Sequence, residues 1–187
     1  GCIWIGTYGG GISKFHNNQF ITFNSANGLP DLKVRCLYND REGNIIIGTN
    51  ESGCYIFKGE QFISYTQQDG LPDNQVFSIM QYPKKQEIWL GTNNGIAVLN
   101  KINGKYSINK NYNANHGIAD KHIRIIKSDK KNHIWIGTWG AGIMQYDNKT
   151  DRFHYNNFVN AFIPSIPQSP IIPVTALDID NDNNLWI

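Results

Sequence analysis

The sequence has no apolar run of membrane-spanning length: its longest, such as Ile45-Ile46-Ile47 and Ile171-Ile172, fall far short of the roughly 20 residues that a helix needs to cross a bilayer. It opens Gly1-Cys2-Ile3-Trp4, with no Met, no basic leader and no apolar signal core. The true N-terminus and any signal peptide are therefore expected upstream, and the missing signal leaves the compartment open. An excess of one charge is missing too. Seventeen Lys and Arg stand against fifteen Asp and Glu, a formal +2 over 187 residues with no dense basic block, so no nucleic-acid contact is expected. Cysteine is scarce. Cys2, Cys36 and Cys54 cannot all pair, and none has C-x-x-C or Cys/His metal spacing. Each sits in a strand-like run where a small buried hydrophobe would serve. No stretch carries an i, i+3, i+4, i+7 apolar stripe of helical length, which disfavours helical repeats.

What is present is a repeat. With 40% hydrophobic and 12% aromatic residues the composition is that of a globular protein, and disorder is disfavoured. The string Trp4-Ile5-Gly6-Thr7 returns at Ile46-Ile47-Gly48-Thr49, Trp89-Leu90-Gly91-Thr92 and Trp135-Ile136-Gly137-Thr138, and begins again at Trp186-Ile187, at spacings of 42, 43, 46 and 51 residues. A second marker keeps phase. Gly28-Leu29-Pro30-Asp31 returns as Gly70-Leu71-Pro72-Asp73 and, more weakly, as Gly117-Ile118-Ala119-Asp120, at spacings of 42 and 47. The clearest period holds four β-like runs, Val76 to Gln81, Glu87 to Gly91, Ile96 to Leu99 and Lys105 to Ile108, separated by Asn, Asp, Gly, Lys or Pro clusters.

Four antiparallel strands in about 40 to 50 residues make one blade of a β-propeller. The expected fold is all-β, with repeats at approximately 1–33, 34–74, 75–121, 122–173 and a partial 174–187. The repeat motif comprises Trp4, Gly6, Gly48, Trp89, Gly91, Trp135, Gly137 and Trp186. Its Trp is expected to fill the space between adjacent sheets, and its Gly to mark a close approach of a neighbouring backbone or ring. Because the chain opens and ends within second strands, an incomplete propeller is expected, with a closed four-bladed ring as the alternative.

The hairpin turn Asp40-Arg41-Glu42-Gly43-Asn44, the Trp-Ile-Gly-Thr string, the turn Tyr8-Gly9-Gly10-Gly11 and the Gly-Leu-Pro-Asp marker together resemble the two-component regulator propeller repeat over essentially the whole chain. It departs from that pattern at Ile46 for Trp, at Gln86 for a turn Gly, and in a Pro-rich insertion from Pro164 to Pro173. The resemblance implies a segment on the periplasmic side of a membrane-anchored hybrid histidine kinase of the Bacteroidetes type, sensing carbohydrate and controlling transcription by phosphorelay. It further implies an immunoglobulin-like domain, a transmembrane helix, a kinase core and often a receiver with a DNA-binding domain, all outside this sequence. The parent would work as a homodimer, and the membrane would be met only through its transmembrane helix. No cofactor or metal is expected.

In a propeller the turn after the second strand and the link between blades share a face. That face would carry Tyr8, Asn50, Glu51, Asn93, Asn94 and Trp139 from the turns, and Asp31, Asp73, Asn74, Asp120, Lys121 and His122 from the links. Tyr8 and Trp139 occupy one repeat position beside glycines. Rings there, flanked by Asn and Asp, suit a glycan: the ring packs on the apolar face of a pyranose while polar neighbours bond its hydroxyls. The ligand-binding candidates are thus Tyr8, Asn50, Glu51, Asn93, Asn94, Trp139 and His122. Against this stands the plainer reading that the aromatics cover a blade edge and that Gly-Leu-Pro-Asp is a structural turn.

Asp178-Ile179-Asp180-Asn181-Asp182-Asn183-Asn184 starts like a calcium loop but lacks the sixth-position Gly, and its phase matches the hairpin turns at Asp40 and Asp129. The histidines, His16, His116, His122, His133 and His154, form no H-x-x-x-H or H-E-x-x-H pair. No catalytic residues are expected, so the segment itself is not expected to be an enzyme. A protein-interaction scaffold and a streptogramin-lyase-like enzyme, for which His122 near His116 is the one hint, are the competing readings.

Overall fold

A computed structural model describes residues 1–83, 85–156 and 172–187. Strands β1 (Ile3–Thr7), β2 (Gly11–His16) and β3 (Gln19–Phe23) form one antiparallel sheet. The second sheet runs β4 (Val34–Asn39), β5 (Ile45–Thr49), β6 (Cys54–Lys58), β7 (Gln61–Tyr65). In the third the order is β8 (Val76–Gln81), β9 (Glu87–Thr92), β10 (Gly95–Ile102), β11 (Lys105–Tyr112). β12 (Ile123–Ser128), β13 (Ile134–Thr138), β14 (Ile143–Asp147) and β15 (Arg152–Tyr155) make the fourth, and β16 (Asp178–Ile179) pairs with β17 (Leu185–Trp186) in a fifth. Each sheet is a meander of sequence neighbours, the fold is that of propeller blades, and among the described residues the sheets do not close into a ring. Among the described residues no helix is long and apolar enough to cross a membrane. Of the Pro-rich insertion, positions 164–171 lie outside the described residues.

Stacking of the sheets explains the composition of the second strands. β5 is buried at every position and β9 at all but its first, because both faces of these strands are covered by neighbouring blades. Hence they read as continuous apolar runs rather than as alternation. Gly91 shows why this contact needs glycine: a Cβ there would lie 2.4 Å from Ser78 Oγ and 2.8 Å from Ile123 Cγ2 on the next blade. Gly48 meets Val76, and Gly137 meets Val174, in the same way. Trp89, only 1% exposed, fills the space between the third and fourth sheets. It stacks on Tyr112 at 5.2 Å and meets Tyr146 of the next blade edge-on at 5.1 Å. Trp4 does the same between the first and second sheets, edge-on to Phe57 at 5.5 Å. Trp186 instead stands 62% exposed.

Polar groups of the motif tie off the turns. The hydroxyls of Thr7, Thr49, Thr92 and Thr138 donate across the turn to the carbonyls of Gly11, Gly53, Gly95 and Gly142 at 2.8–3.1 Å. The N–H groups of those same glycines then donate to the carbonyls of Leu32, Asn74, Lys121 and Ile172, in the links that lead to the next sheet, at 2.8–3.1 Å. Backbone hydrogen bonds thus join blade to blade. Single 3-10 turns, Ser25–Asn27, Gln67–Asp69 and Ala114–His116, precede the Gly-Leu-Pro marker, capped by Asn24, Thr66 and Asn113 and ended by left-handed glycines.

One sequence expectation needs correction. Cys54 is buried and Cys36 partly so, but Cys2 is exposed ahead of β1 and packs into no core. The replacement of Trp by Ile46 is compensated. In the fourth and last repeats the aspartate of the first hairpin accepts from the motif indole, Asp180 from Trp186 at 2.9 Å and Asp129 from Trp135 at 3.4 Å. At Asp40 the Tyr106 hydroxyl of the neighbouring blade takes that place at 3.0 Å. The Asp178 to Asn184 segment is a hairpin turn, with Asp180 accepting from the N–H groups of Asp182 and Asn184.

Candidate functional site

The first strand of each of three sheets carries one residue too many for its ladder. The register slips between Val34 and Cys36, between Val76 and Ser78, and between Ile123 and Ile125. Such a bulge frees the extra residue from pairing and re-aims its side chain. The residues freed are Arg35, Phe77 and Arg124. Thr175 follows Val174 in the same phase, Val174 donating to Thr138 O at 2.8 Å.

Beside this row lies that of the turns after the second strands. The N–H groups of Asn50, Asn93 and Trp139 donate to the carbonyls of Lys33, Gln75 and His122 at 3.0–3.1 Å, and Tyr8 bridges to Lys33. The two rows interleave into a ladder of rings and cations. Arg35 lies over Tyr8 at 4.9 Å and over Phe77 at 5.2 Å; Arg124 lies over Phe77 at 4.0 Å and over Trp139 at 5.1 Å. Guanidinium groups are attracted to ring faces at these separations. Arg35, Gln75, Phe77, Asn93, Arg124, Trp139 and Thr175 line one cleft of about 540 Å³.

The sequence-predicted residues divide by this geometry. Asn93 and Trp139 line the cleft, and Tyr8 reaches it through Arg35. Asn50 is buried and sits behind: its Oδ1 accepts from Nε of Arg35 at 2.8 Å and also from Nη2, fixing that guanidinium. Glu51 is paired with Lys33 at 2.7 Å and lines a separate cleft with Tyr55 and Gln67. Asn94 donates to Pro72 O at 3.3 Å. His122 Nδ1 lies 2.7 Å from Asp120 Oδ1, and its carbonyl anchors Trp139. His116 is engaged by Asn113 in the third 3-10 turn, so the two histidines belong to different networks.

The link aspartates hold backbone. Asp31 accepts from Lys33, Glu51 and Ser52 N–H groups, and Asp120 from those of His122 and Gly140. Burial alone would push the Asp120 carboxyl up, but the N–H and ring of His122 and the N–H of Gly140 hold it below the ordinary value. Arg124 is held below the usual arginine value by its burial and by the Arg35 charge nearby. Among the described residues no group of three His, Cys, Asp or Glu gathers to hold a metal ion.

Sequence reasoning missed Arg35, Gln75, Phe77, Arg124 and Thr175. Four of them share one phase, the residue after Val34, Val76, Ile123 and Val174. Its occupants vary, Arg, Phe, Arg and Thr in turn, while the residue before stays β-branched.

The geometry defines an open arc of propeller blades whose bulged first strands build a ringed, cationic cleft. The family model described as "Two component regulator propeller" matches residues 28–51, which upholds the resemblance read from the repeats. Two solved chains of the BT4673 extracellular domain from B. thetaiotaomicron, titled as a hybrid two component system and as a one component system, superpose with TM-scores of 0.79 and 0.78. Both are 21% identical and are matched over 100% of this chain and 26% and 27% of theirs. The extracellular domain of the hybrid two component system BT3049 from the same organism gives a TM-score of 0.72 at 21% identity, over 99% of this chain and 30% of that one. The chain therefore spans well under a third of the length of these structures and shares their fold. No curated protein matches it.

Proposed function

We propose that this chain is a ligand-sensing segment of an extracytoplasmic propeller in a two-component regulator, that its ligand is a carbohydrate, and that it does no chemistry of its own. The observation carrying this reading is the cleft between the blades, where the half-exposed Trp139 offers a ring and Asn93, Gln75 and Thr175 offer hydrogen-bonding groups. Rings with a few placed polar groups suit pyranose recognition. The fold shared with extracellular domains of B. thetaiotaomicron systems supports the setting on the outer side of a membrane. In this reading the parent is a dimeric, membrane-anchored histidine kinase that passes occupancy of the cleft to transcription by phosphorelay. The lyase alternative draws no support from His116 and His122, which are engaged in separate networks.

Calorimetric titration of the chain with a panel of mono- and oligosaccharides tests the proposal. Binding of at least one glycan, weakened about tenfold or more by Trp139→Ala, is the expected result. A panel with no binder, or a binder indifferent to Trp139→Ala, would remove the cleft as a glycan site.

A further inference from the structure

Arg35 and Arg124 are unusual in what they lack. Both guanidinium groups lie over the ring of Phe77, at 5.2 and 4.0 Å, close enough for the Arg35 charge to disfavour protonation of Arg124. Two like charges so placed repel, and folding alone would favour a carboxylate between them. Among the described residues no salt bridge reaches either group.

Nearby carboxylates are bonded elsewhere, and only the Asp120 charge acts on Arg124, without an ion-pair contact. Glu51 pairs with Lys33, Asp31 holds the 50–52 turn, and Asp120 is taken up by His122 and Gly140. Asn50, a neutral amide, orients Arg35 without cancelling its charge. Arg124 Nε is buried and has no hydrogen-bond partner. A buried donor left unmade is costly, the more so on a charged group. The chain carries only +2 overall, so this is a local arrangement rather than part of a general positive field.

We infer that the glycan taken by this cleft is acidic, and that its carboxylate or sulfate group seats on the Arg124 and Arg35 guanidinium groups while its ring lies against Trp139. The guanidinium fork matches the paired oxygens of both groups and bonds them more strongly than it bonds neutral hydroxyls. Phe77 keeps both forks in place by cation–π contact, which uses the flat faces; the N–H groups left for a ligand are those of Arg35 that Asn50 does not take and the Nη groups of Arg124 beyond its buried Nε. The inference rests on the carbohydrate reading and narrows it to one class of sugar.

The test is titration of the full chain with four probes: glucuronate, glucose 6-sulfate, glucose and inorganic sulfate. Arg124→Ala and Arg124→Lys are carried in parallel, with thermal melts monitored by circular dichroism to establish that each is folded. At least one charged sugar is expected to bind about tenfold or more tighter than glucose, with an affinity that falls as salt rises. Arg124→Ala should abolish that margin, and Arg124→Lys should restore only part of it, since an ammonium keeps the charge but not the fork. The preferred charged sugar identifies carboxylate or sulfate as the group read.

Equal affinity for glucose and both charged sugars, unmoved by Arg124→Ala, would overturn the acidic ligand while leaving the carbohydrate reading intact. Inorganic sulfate binding as tightly as glucose 6-sulfate, through Arg124, would keep the anion seat and remove the sugar. No binding of any probe at millimolar concentration would overturn the inference outright.

Discussion

Truncating Trp89 to Ala tests the claim that interfaces between blades, rather than single sheets, hold this fold together. The side chain is 1% exposed and touches two blades, stacked on Tyr112 at 5.2 Å and edge-on to Tyr146 at 5.1 Å and Phe153 at 6.4 Å. Removing so large a buried ring costs about 3–5 kcal/mol, from lost transfer energy and the cavity left behind. That is a large share of the roughly 5–15 kcal/mol that stabilises a typical domain, and corresponds to a fall in melting temperature of roughly 6–20 °C. The same substitution at Trp186, 62% exposed, removes an indole bond to Asp180 and little else, and should cost less than about 1 kcal/mol. Urea unfolding followed by far-ultraviolet circular dichroism compares the two without relying on tryptophan emission. Equal costs at the two positions would refute the reasoning, because the residues share motif and strand position, each has one indole bond to a carboxylate, and they differ in what covers them.

Gly91→Ala should lower stability by about 1–3 kcal/mol through overpacking against Ser78 and Ile123; in the Ser78→Ala background, which removes the nearer clash, the same denaturation experiment should show a smaller loss. Tyr106→Phe should cost about 1 kcal/mol in the urea midpoint, since it removes the hydroxyl that bonds Asp40 and leaves the ring. Burial would raise the Asp151 carboxyl, but bonds from Lys110, Tyr146 and Tyr112 bring it down to about 2 from 3.8. Its stabilising effect is therefore complete above about pH 4 and lost as pH falls towards 2, and because the side chain is 44% exposed its worth is at most about 1 kcal/mol; Asp151→Asn should flatten the acid limb of stability against pH by that amount. Of the three thiols only Cys2 should react quickly with iodoacetamide in the native chain, as counted by mass spectrometry, because burial pushes Cys36 up to about 12 and Cys54 up also.

Period and strand order were legible because they rest on residues with one structural task per copy. The Gly of the motif admits the next blade, the Thr closes a turn, and the Asp of the first hairpin gathers its own backbone. Each task demands one residue type and so repeats. The 3-10 turns were missed because three residues are too few to show a period, although a capping Asn or Thr stands four residues before each of Gly28, Gly70 and Gly117. The cleft was half legible. Tyr8, Asn93 and Trp139 stand out beside invariant Thr, but Arg35, Phe77 and Arg124 owe their direction to a bulge. One extra residue in a strand of six leaves no mark on composition or alternation.

That bulge separates the scaffold from the cleft it builds. At Val34, Val76 and Ile123 the side chain is buried against the glycine of the preceding blade, or close to it, so the position admits only a β-branched residue. One residue later the chain has left the ladder, and the side chain has no cross-strand partner to match. Arg, Phe, Arg and Thr can therefore follow one another around the cleft without disturbing a strand pair. Cleft chemistry can change blade by blade while the period stays fixed, and in the reading proposed above the Arg, Phe, Arg order answers to a ligand rather than to folding. The mutual repulsion of the two guanidinium groups works against the ring contacts that hold them, and a position outside the ladder has no packing demand that calls for a cation.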